Sequence, residues 1–533
     1  MREDKILKFE KEARQGLFDG VELLARAVTT TLGPKGRNVA IMPNWGVPFI
    51  VHDGVTVARE VGHKDEFKLM GIELIKQAAQ KTNDEAGDGT TTVTLLAYEL
   101  IKGGMKLVDE GLNPMVLRTQ LEVALSELLK ELDKISTPVK KKDEIERVAT
   151  VSSGDGVIGK MVADAIRKVG DDGLVTVEEG KTLETEVEFT EGMEFDKGYL
   201  SHYFVTNPRR MEAVIESPSV AIVNRKISTV PELQKVLEPV FEDSKDLVLI
   251  ANDVSGDALL TLVQNKIKGN FNALAVKAPQ GGVGQIEHFL EDLAVVTGGK
   301  VINGDKDITP DKSWIGKAEK VIANKDSTVI VRGMGEKKDV EDRVKDIKGQ
   351  IEEETNIHLK EGLEERLAKL TRGVGVIKVG AKTEVDMREK VERVKDAVGA
   401  ATSAREEGVV VGGGTAFLRL KKAIDGQNEG ERLLKSVLEA PSRKLMLNAG
   451  ESNEIINQHI KDVLKEGGDW GYEVNSGEMV HLIEKGIIDP TKVIRLTLEN
   501  AVAVAKMILT TDVLIAIDLK KAQEKLKAQG AGR

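Results

Sequence analysis

The sequence predicts a multidomain α and α/β protein, in which a mainly helical domain made from both ends of the chain carries an inserted α/β middle. Three observations predict this. Residues 1 to about 134 repeat apolar faces at helical spacing, as in LRTQLEVALSELLKELDKI. After Pro138, short β-rich runs (GLVTVEEG, LETEVEFTEGM, VAIVNRKI) alternate with helical ones such as LLTLVQNKI. From Gly408 the helical texture returns almost to the end. The length of 533 residues suits about three domains of roughly 150 residues each.

Composition narrows the function classes. Aromatic residues are 3% of the chain, so the cores must be built from Ala, Val, Ile and Leu. A net charge of -11 argues against a nucleic-acid face, because phosphate backbones need a basic patch. With no cysteine, disulfides, thiolate metal sites and cysteine nucleophiles are excluded. The opening MREDKILKFEKEAR mixes acids and bases and does not read as a signal peptide. The apolar AVAVAKMILTTDVLIAI is broken by Lys506 and Asp512, and reads as a buried helix followed by a strand. A cytoplasmic protein without a membrane span is the expectation.

Within the first helical stretch, TLGPKGRNVAIM turns at Gly33-Pro34 and runs into a strand at Val39-Ala40-Ile41. A second such unit, VPFIVHDGVTVARE, turns at Asp53-Gly54. NDEAGDGTTT then separates two amphipathic segments. A helix beginning there offers free N–H groups and a positive dipole end, which suit a phosphate. Gly87 and Gly89 are expected to clear the approach, and the threonine hydroxyls to cap the helix or donate to phosphate oxygens. Asp88 would repel a phosphate unless Mg²⁺ lies between them, and Mg²⁺ prefers one or two carboxylates plus phosphate oxygens. The plain alternative is an Asp-Gly turn with a threonine cap.

Two other glycine runs carry less. GDGVIG, Gly154 to Gly159, has the form of a dinucleotide fingerprint, yet VATVSS before it is a poor buried strand, and a turn opening a helix is the simpler reading. VVVGGGTAFLRL sets Gly412 to Gly414 between an apolar run and a helix, where close packing explains them as well as a ligand does. The tail KKAQEKLKAQGAGR is polar and expected to fray. No internal repeat is evident.

TLGPKGRNV, DGVTVARE, NDEAGDGTTT, EEGVVVGGG and GIIDPTKV stand in the order and spacing of the group I chaperonins, and the chain resembles that GroEL-like family along nearly its whole length. The resemblance implies a mainly helical equatorial domain (1–134 and 407–533), a small intermediate domain (135–190 and 375–406) and an α/β apical domain (191–374). It implies an ATPase that uses ATP, Mg²⁺ and K⁺. The partners implied are unfolded proteins and a lid co-chaperonin of the GroES type. Subunits would form a homo-oligomer of seven-membered rings, one or two in number.

The residue roles it implies are these. Asp88 matches the Mg²⁺ ligand, while Thr31, His52 and Thr91 match K⁺-contacting positions. Thr31, Leu32, Gly33 and Pro34 match one phosphate loop, and Gly89, Thr90, Thr91 and Thr92 the facing one. Gly413, Glu473, Val474, Ile487 and Asp489 match positions around the adenosine. Asp53 matches the acid near the attacking water and Asp396 the catalytic aspartate; its charged helix would otherwise read as solvated surface. Tyr199, Tyr203, Phe204, Gln234, Leu237, Leu259, Val263 and Gln264 match the groove that binds unfolded chains. Gly192 and Gly373 match the upper hinge, and Pro138 and Gly408 the lower.

The chain departs from the family in places. Gln234 and Gln264 stand where aliphatic residues are usual. Leu233, beside the first, should face elsewhere on a helix. His52 replaces a lysine, Glu473 replaces an asparagine that reads the base, and the Gly-Met-rich tail is absent. A conventional ATP-dependent metabolic enzyme using the same loops is the alternative, and a binding scaffold without turnover is a third; intact Asp53, Asp88 and Asp396 argue against the scaffold.

Overall fold

The computed structural model describes residues 5–42, 48–51, 53–139, 142–170, 173–180, 182–207, 211–241, 244–279, 285–303, 310–354, 356–371 and 373–517. His52 and the polar tail, both read from the sequence, lie outside the described residues. The chain forms two compact units, Met1–Asp164 with Ala381–Arg533, and Ala165–Gly380.

The first unit is helical. Its N-terminal part supplies α1 (Glu10–Val28), α2 (Gly54–Glu60), α3 (Glu66–Ala86), α4 (Thr90–Asp109), α5 (Pro114–Ile135) and α6 (Lys142–Ser153). α7 (Gly156–Val169) follows, and α8 (Val230–Phe241), α9 (Gly256–Ile267), α10 (Gln285–Thr297), α11 (Lys337–Glu353) and α12 (Ile357–Thr371) belong to the second unit. The C-terminal part returns to the first unit with α13 (Glu384–Glu407), α14 (Thr415–Leu420), α15 (Glu429–Val437), α16 (Ala440–Ala449), α17 (Asn453–Glu466) and α18 (Thr491–Leu509). The core is almost wholly aliphatic: Leu17, Val21 and Leu24 of α1, Ile72 and Ile75 of α3, Leu96 and Leu100 of α4, and Ala501 and Val502 of α18. Hydrophobic burial therefore draws the two chain ends together. A strand not foreseen from the sequence, Lys5–Phe9, pairs antiparallel with Val513–Ile517 and joins those ends directly.

The second unit is built on a ten-stranded mixed sheet. Its order runs Leu174–Glu179, Gly373–Val379, Glu186–Phe195, Thr328–Gly333, Gly316–Ala323, Ser219–Ile227, Asp246–Val254, Asn272–Lys277. The last three strands are parallel and are joined by α8 and α9, which fits their near-continuous apolar runs. Beside them Asp292 is fully buried and held by Arg343 Nε at 2.7 Å and by both Nε and Nη2 of Arg366, at 2.7 and 2.9 Å. Paired in this way, the carboxylate has the partners that burial of a charge demands.

The dinucleotide reading of GDGVIG fails here. VATVSS is the end of α6, so the glycines link two helices instead of a strand and a helix. No helix among the described residues is long and apolar enough to cross a membrane.

Candidate functional site

The site is built around the start of α4. Gly89 is the N-cap, with φ of +91°, and no side chain caps the helix. The first bond of the ladder is Val93 N–H to Gly89 O at 2.9 Å, so the N–H groups of Thr90, Thr91 and Thr92 stand outside it. The threonine-cap expectation is thus corrected, and the donors an anion would use lie at that helix end. The clearance expectation for the two glycines is also corrected. A Cβ on Gly87 would come within 2.4 Å of Gly399 Cα in α13, and one on Gly89 within 2.9 Å of Thr497 Oγ1 in α18. Packing of protein on protein, together with positive φ at both, requires them.

Acids converge on this helix end. Asp88 retains some exposure while densely surrounded, and burial pushes its carboxyl up. The Asp53 carboxylate adds to that push, while the Gly89 N–H, donating to Asp88 Oδ1 at 2.5 Å, and the nearby Ser152 hydroxyl oppose it. Asp489, in the strand Ile488–Pro490, is pushed up to about 7 by burial and then by Asp88. Asp53 caps α2, accepting from Val55 N–H at 3.0 Å and Thr56 N–H at 2.7 Å. A Cβ at Gly54 would meet Thr91 Oγ1 at 2.2 Å and Thr31 Oγ1 at 3.5 Å, so the two threonines assigned to K⁺ come together there. No group of three or more His, Asp or Glu among the described residues is placed to chelate a metal alone. Asp88 is the kind of ligand Mg²⁺ takes when phosphate oxygens complete its shell.

Opposite α4 runs the Thr29–Arg37 turn. Thr31 is buried and donates to Val28 O at 2.8 Å, Leu32 and Gly33 are half-buried, and Pro34 is exposed. Asn448 of α16 pins this turn by donating to Leu32 O at 2.9 Å and Thr29 O at 3.1 Å. Sequence reasoning missed Asn448, because an asparagine just before Gly450 at a helix end reads as a C-cap signal.

Of the three glycines at 412–414, only Gly413 leaves room. A Cβ there would find its nearest neighbours, Ile487 Cγ2 and Leu482 Cδ1, at 3.8 Å, whereas Gly412 presses on Ile487 and Gly414 on Ser442. Ile487 is half-buried beside that opening, and Val474 is buried in a small core nearby. Glu473 Oε2 accepts from Ser476 Oγ at 2.9 Å across a hairpin turn.

Asp396 is half-buried in α13. Gly399, three residues on, touches the Gly87 backbone, and Ser403, seven on, donates to Ala86 O at 2.9 Å. Positions i, i+3 and i+7 share one helix face, so Asp396 lies on the face turned to the Asp88 loop. Its placement there is a finding that the charge pattern of the sequence hid. α13 is further tied to α18 by Glu407 and Arg495, at 3.0 and 2.5 Å, and by Glu406 and Lys492 at 2.6 Å.

The hinge candidates fall into two pairs. Pro138 follows Thr137, which exchanges both backbone bonds with Val409 at 2.9 Å, directly after Gly408. In the second unit Gly373 pairs with Glu191, next to Gly192.

The groove candidates lie on and beside α8 and α9. Gln234 and Gln264 are exposed, Leu259 and Val263 half-buried, and Leu237 is 9% exposed. Leu233 is fully buried, as its helix position predicts. Tyr203 is 55% exposed and Tyr199 half-buried. Phe204 is fully buried, so it supports the Tyr203 turn from beneath and offers no surface to a ligand. The sequence reading passed over Leu260 and Ile267, at 59% and 64% exposed on α9.

The chain matches the model of the TCP-1/cpn60 chaperonin family over residues 24–518. Its fold is similar to two crystal structures of the chaperonin gp146 from the bacteriophage EL 2 (Pseudomonas aeruginosa), both determined in the presence of ATP-BeFx. Each is 21% identical and covers 96% of this chain and 99% of that one, with TM-scores of 0.68 and 0.61. With the family match running across nearly all of a chain that folds in this way, the protein belongs to the TCP-1/cpn60 chaperonin family.

Proposed function

We propose that this chaperonin hydrolyses ATP at the cleft before α4 and uses the cycle to capture unfolded proteins at α8 and α9 and enclose them for folding. The observation that carries the reading is the convergence of Asp53, Asp88 and Asp489 on a helix start with free N–H groups, with the Asp396 face of α13 turned to the same loop. The α4 N–H groups and Thr91 would bind phosphate oxygens, and Asp88 would hold Mg²⁺, which neutralises phosphate charge when bound. Thr31 and Thr91 suit K⁺. Asp53 and Asp396 would orient the attacking water, since phosphoryl transfer needs positioning more than covalent help. ATP-BeFx in the phage relative's crystals agrees with a nucleotide at such a site.

Three working parts per subunit follow from the same reading. The two hinge pairs support breaks near 134, 190, 374 and 406, and rings of seven subunits with a GroES-type lid in the cytoplasm complete it. A metabolic enzyme would need a pocket with its own free acid or base. The cavity of about 660 Å³ on the second unit's sheet has Glu178 paired to Lys320, and Lys378 to Glu188 at 2.6 Å, so its charges are already compensated.

Asp396→Ala tests the assignment. The mutant should still bind Mg-ATP and assemble, because Asp396 is given to the water and not to the nucleotide. Its turnover should fall about 10²-fold or more. Steady-state phosphate release measures this, and wild-type hydrolysis would remove Asp396 from the mechanism.

A further inference from the structure

The second unit carries a polar strand end that the reading above leaves unused. Its strands Ser219–Ile227, Asp246–Val254 and Asn272–Lys277 lie side by side and parallel, and a fourth parallel strand, Val301–Ile302, pairs with the first of them. The connections through α8 and α9 each step one strand away from the first. The connection through α10 comes back and sets the fourth strand on the other side of the first. The direction of travel therefore reverses between the first and fourth strands. In open α/β sheets, ligands bind outside the carboxyl ends of the strands at such a reversal.

The residues at that end are unusual. Val223 pairs with Ala251 and Lys226 with Asp253, so the first strand holds an extra residue, a bulge at Asn224 and Arg225. Bulges re-aim side chains and gather beside functional sites. Asn224 Nδ2 lies 3.4 Å from Glu287 Oε1, in the first turn of α10, and 3.4 Å from Asn303 Oδ1, directly after the fourth strand. Both contacts are long for an N–H donor, so the three groups face one another without closing up. Asn252 Nδ2 donates to Asn224 Oδ1 at 3.1 Å, which keeps the Asn224 amino group turned to the two acceptors. Beside them Arg225 Nε and Nη1 and Asn252 Oδ1 are buried with no hydrogen-bond partner among the described residues. Buried polar atoms are normally paired, so orphans at one strand end mark a place where something besides the chain supplies partners.

Charge and donor type narrow the ligand. In nucleotide-binding sheets the turn after the first strand offers its N–H groups to phosphate. Here that turn is closed, because Glu232 Oε2 accepts from Ser228 N–H at 3.1 Å and from Thr229 N–H at 3.2 Å. Glu287 adds a second carboxylate, and the Lys226 ammonium is already paired with Asp253 at 2.9 Å. An anion is therefore disfavoured. One amide donor set against two neighbouring acceptors matches hydroxyl groups, which accept and donate at the same atom.

We propose that this strand end binds a vicinal diol of a sugar, one hydroxyl accepting from Asn224 Nδ2 and donating to Glu287, the next donating to Asn303. The site is separate from the residues assigned to ATP and to clients. The diol can belong to the ribose of a nucleoside or to a pyranose of a glycan, since both present adjacent hydroxyls.

Saturation-transfer NMR on the full chain tests this with methyl β-D-ribofuranoside, methyl α-D-mannopyranoside and the 2-deoxy counterpart of each, which lacks the diol at that position. Wild type should transfer saturation to at least one glycoside, and about ten-fold less to its 2-deoxy counterpart. Ribofuranoside alone would identify a nucleoside source, and mannopyranoside alone a glycan source. Glu287→Ala and Asn303→Ala alter exposed side chains, so both variants should fold and keep their ATP turnover. Glu287→Ala should weaken the glycoside about ten-fold, the order expected for a lost bond to a charged group, and Asn303→Ala should weaken it less. No transfer to either glycoside in wild type would overturn the proposal. Equal transfer to the 2-deoxy counterparts, or unchanged affinity in both variants, would overturn it as well.

Discussion

Lys266 shows how one side chain ties a helix to the turn beside it. Its ammonium donates to Phe204 O at 2.7 Å and Ala273 O at 3.2 Å, tying α9 to the turn that presents Tyr203. Burial outweighs the attraction of Asp246 and brings its pKa down to about 8. Between about 8 and the usual lysine value near 10.4, the unfolded chain keeps its proton and the folded one loses it. Stability therefore rises with pH across that window, and the cost of burying the charge is full only below it. Urea unfolding at a series of pH values should show this rise in wild type, and Lys266→Met should lack that component. An identical slope in the two proteins would mean that the ammonium is better solvated than its contacts suggest. Nothing in the sequence marks Lys266, because a lysine near the C-terminal end of a helix reads as a favourable dipole partner.

The element that matters most is α13, and its hold on the Asp88 loop depends on two facing glycines. Gly87 has φ of +73° and sits with its Cα against the backbone of Gly399. Gly87→Ala should cost about 1–2 kcal/mol for the left-handed backbone alone. It should cost more in addition, because the new methyl would fall 2.4 Å from Gly399 Cα and would lift α13 from the loop. Gly111 is the control: its φ is +103°, yet no atom lies within 4 Å of an added Cβ. Gly111→Ala should lose stability for the backbone only and keep its ATP turnover, whereas Gly87→Ala should lose both. Thermal unfolding with phosphate-release assays measures the contrast, and matching turnover in the two variants would refute the contact's importance. The GDGTTT helix start and the split helical unit were legible because periodicity and caps are local signals. The partners of that helix start were not. Ser403 meets Ala86 across 317 positions and Asn448 meets Thr29 across 419, and spacing carries no mark of such contacts.

At the scale of the whole molecule, the proposed function assigns nucleotide to the first unit and clients to the second, and two of the proposed client positions carry glutamine where the resemblance leads one to expect aliphatic residues. Gln234 is exposed on α8 and donates to Glu238 at 3.0 Å, so its amide is partly paired before any client arrives. Gln264 is exposed on α9, which lies beside α8 and already offers Leu260 and Ile267. Full burial of an aliphatic side chain against a client is worth roughly 1.5–3 kcal/mol. A glutamine gains less, and Gln234 would also have to exchange Glu238 for the client or keep it at the groove's edge. Ordering of the client and partial burial reduce the difference. We therefore expect Gln234→Leu with Gln264→Val to tighten an unfolded model protein by about ten-fold, roughly 1.4 kcal/mol. Release to a lid should slow as well, since the lid would compete for the same surface. Competitive binding of a labelled unfolded chain, without nucleotide, decides the matter. Equal or weaker binding by the double variant would mean that Leu260, Ile267 and the half-buried Leu259 and Val263 already supply the apolar area that capture requires.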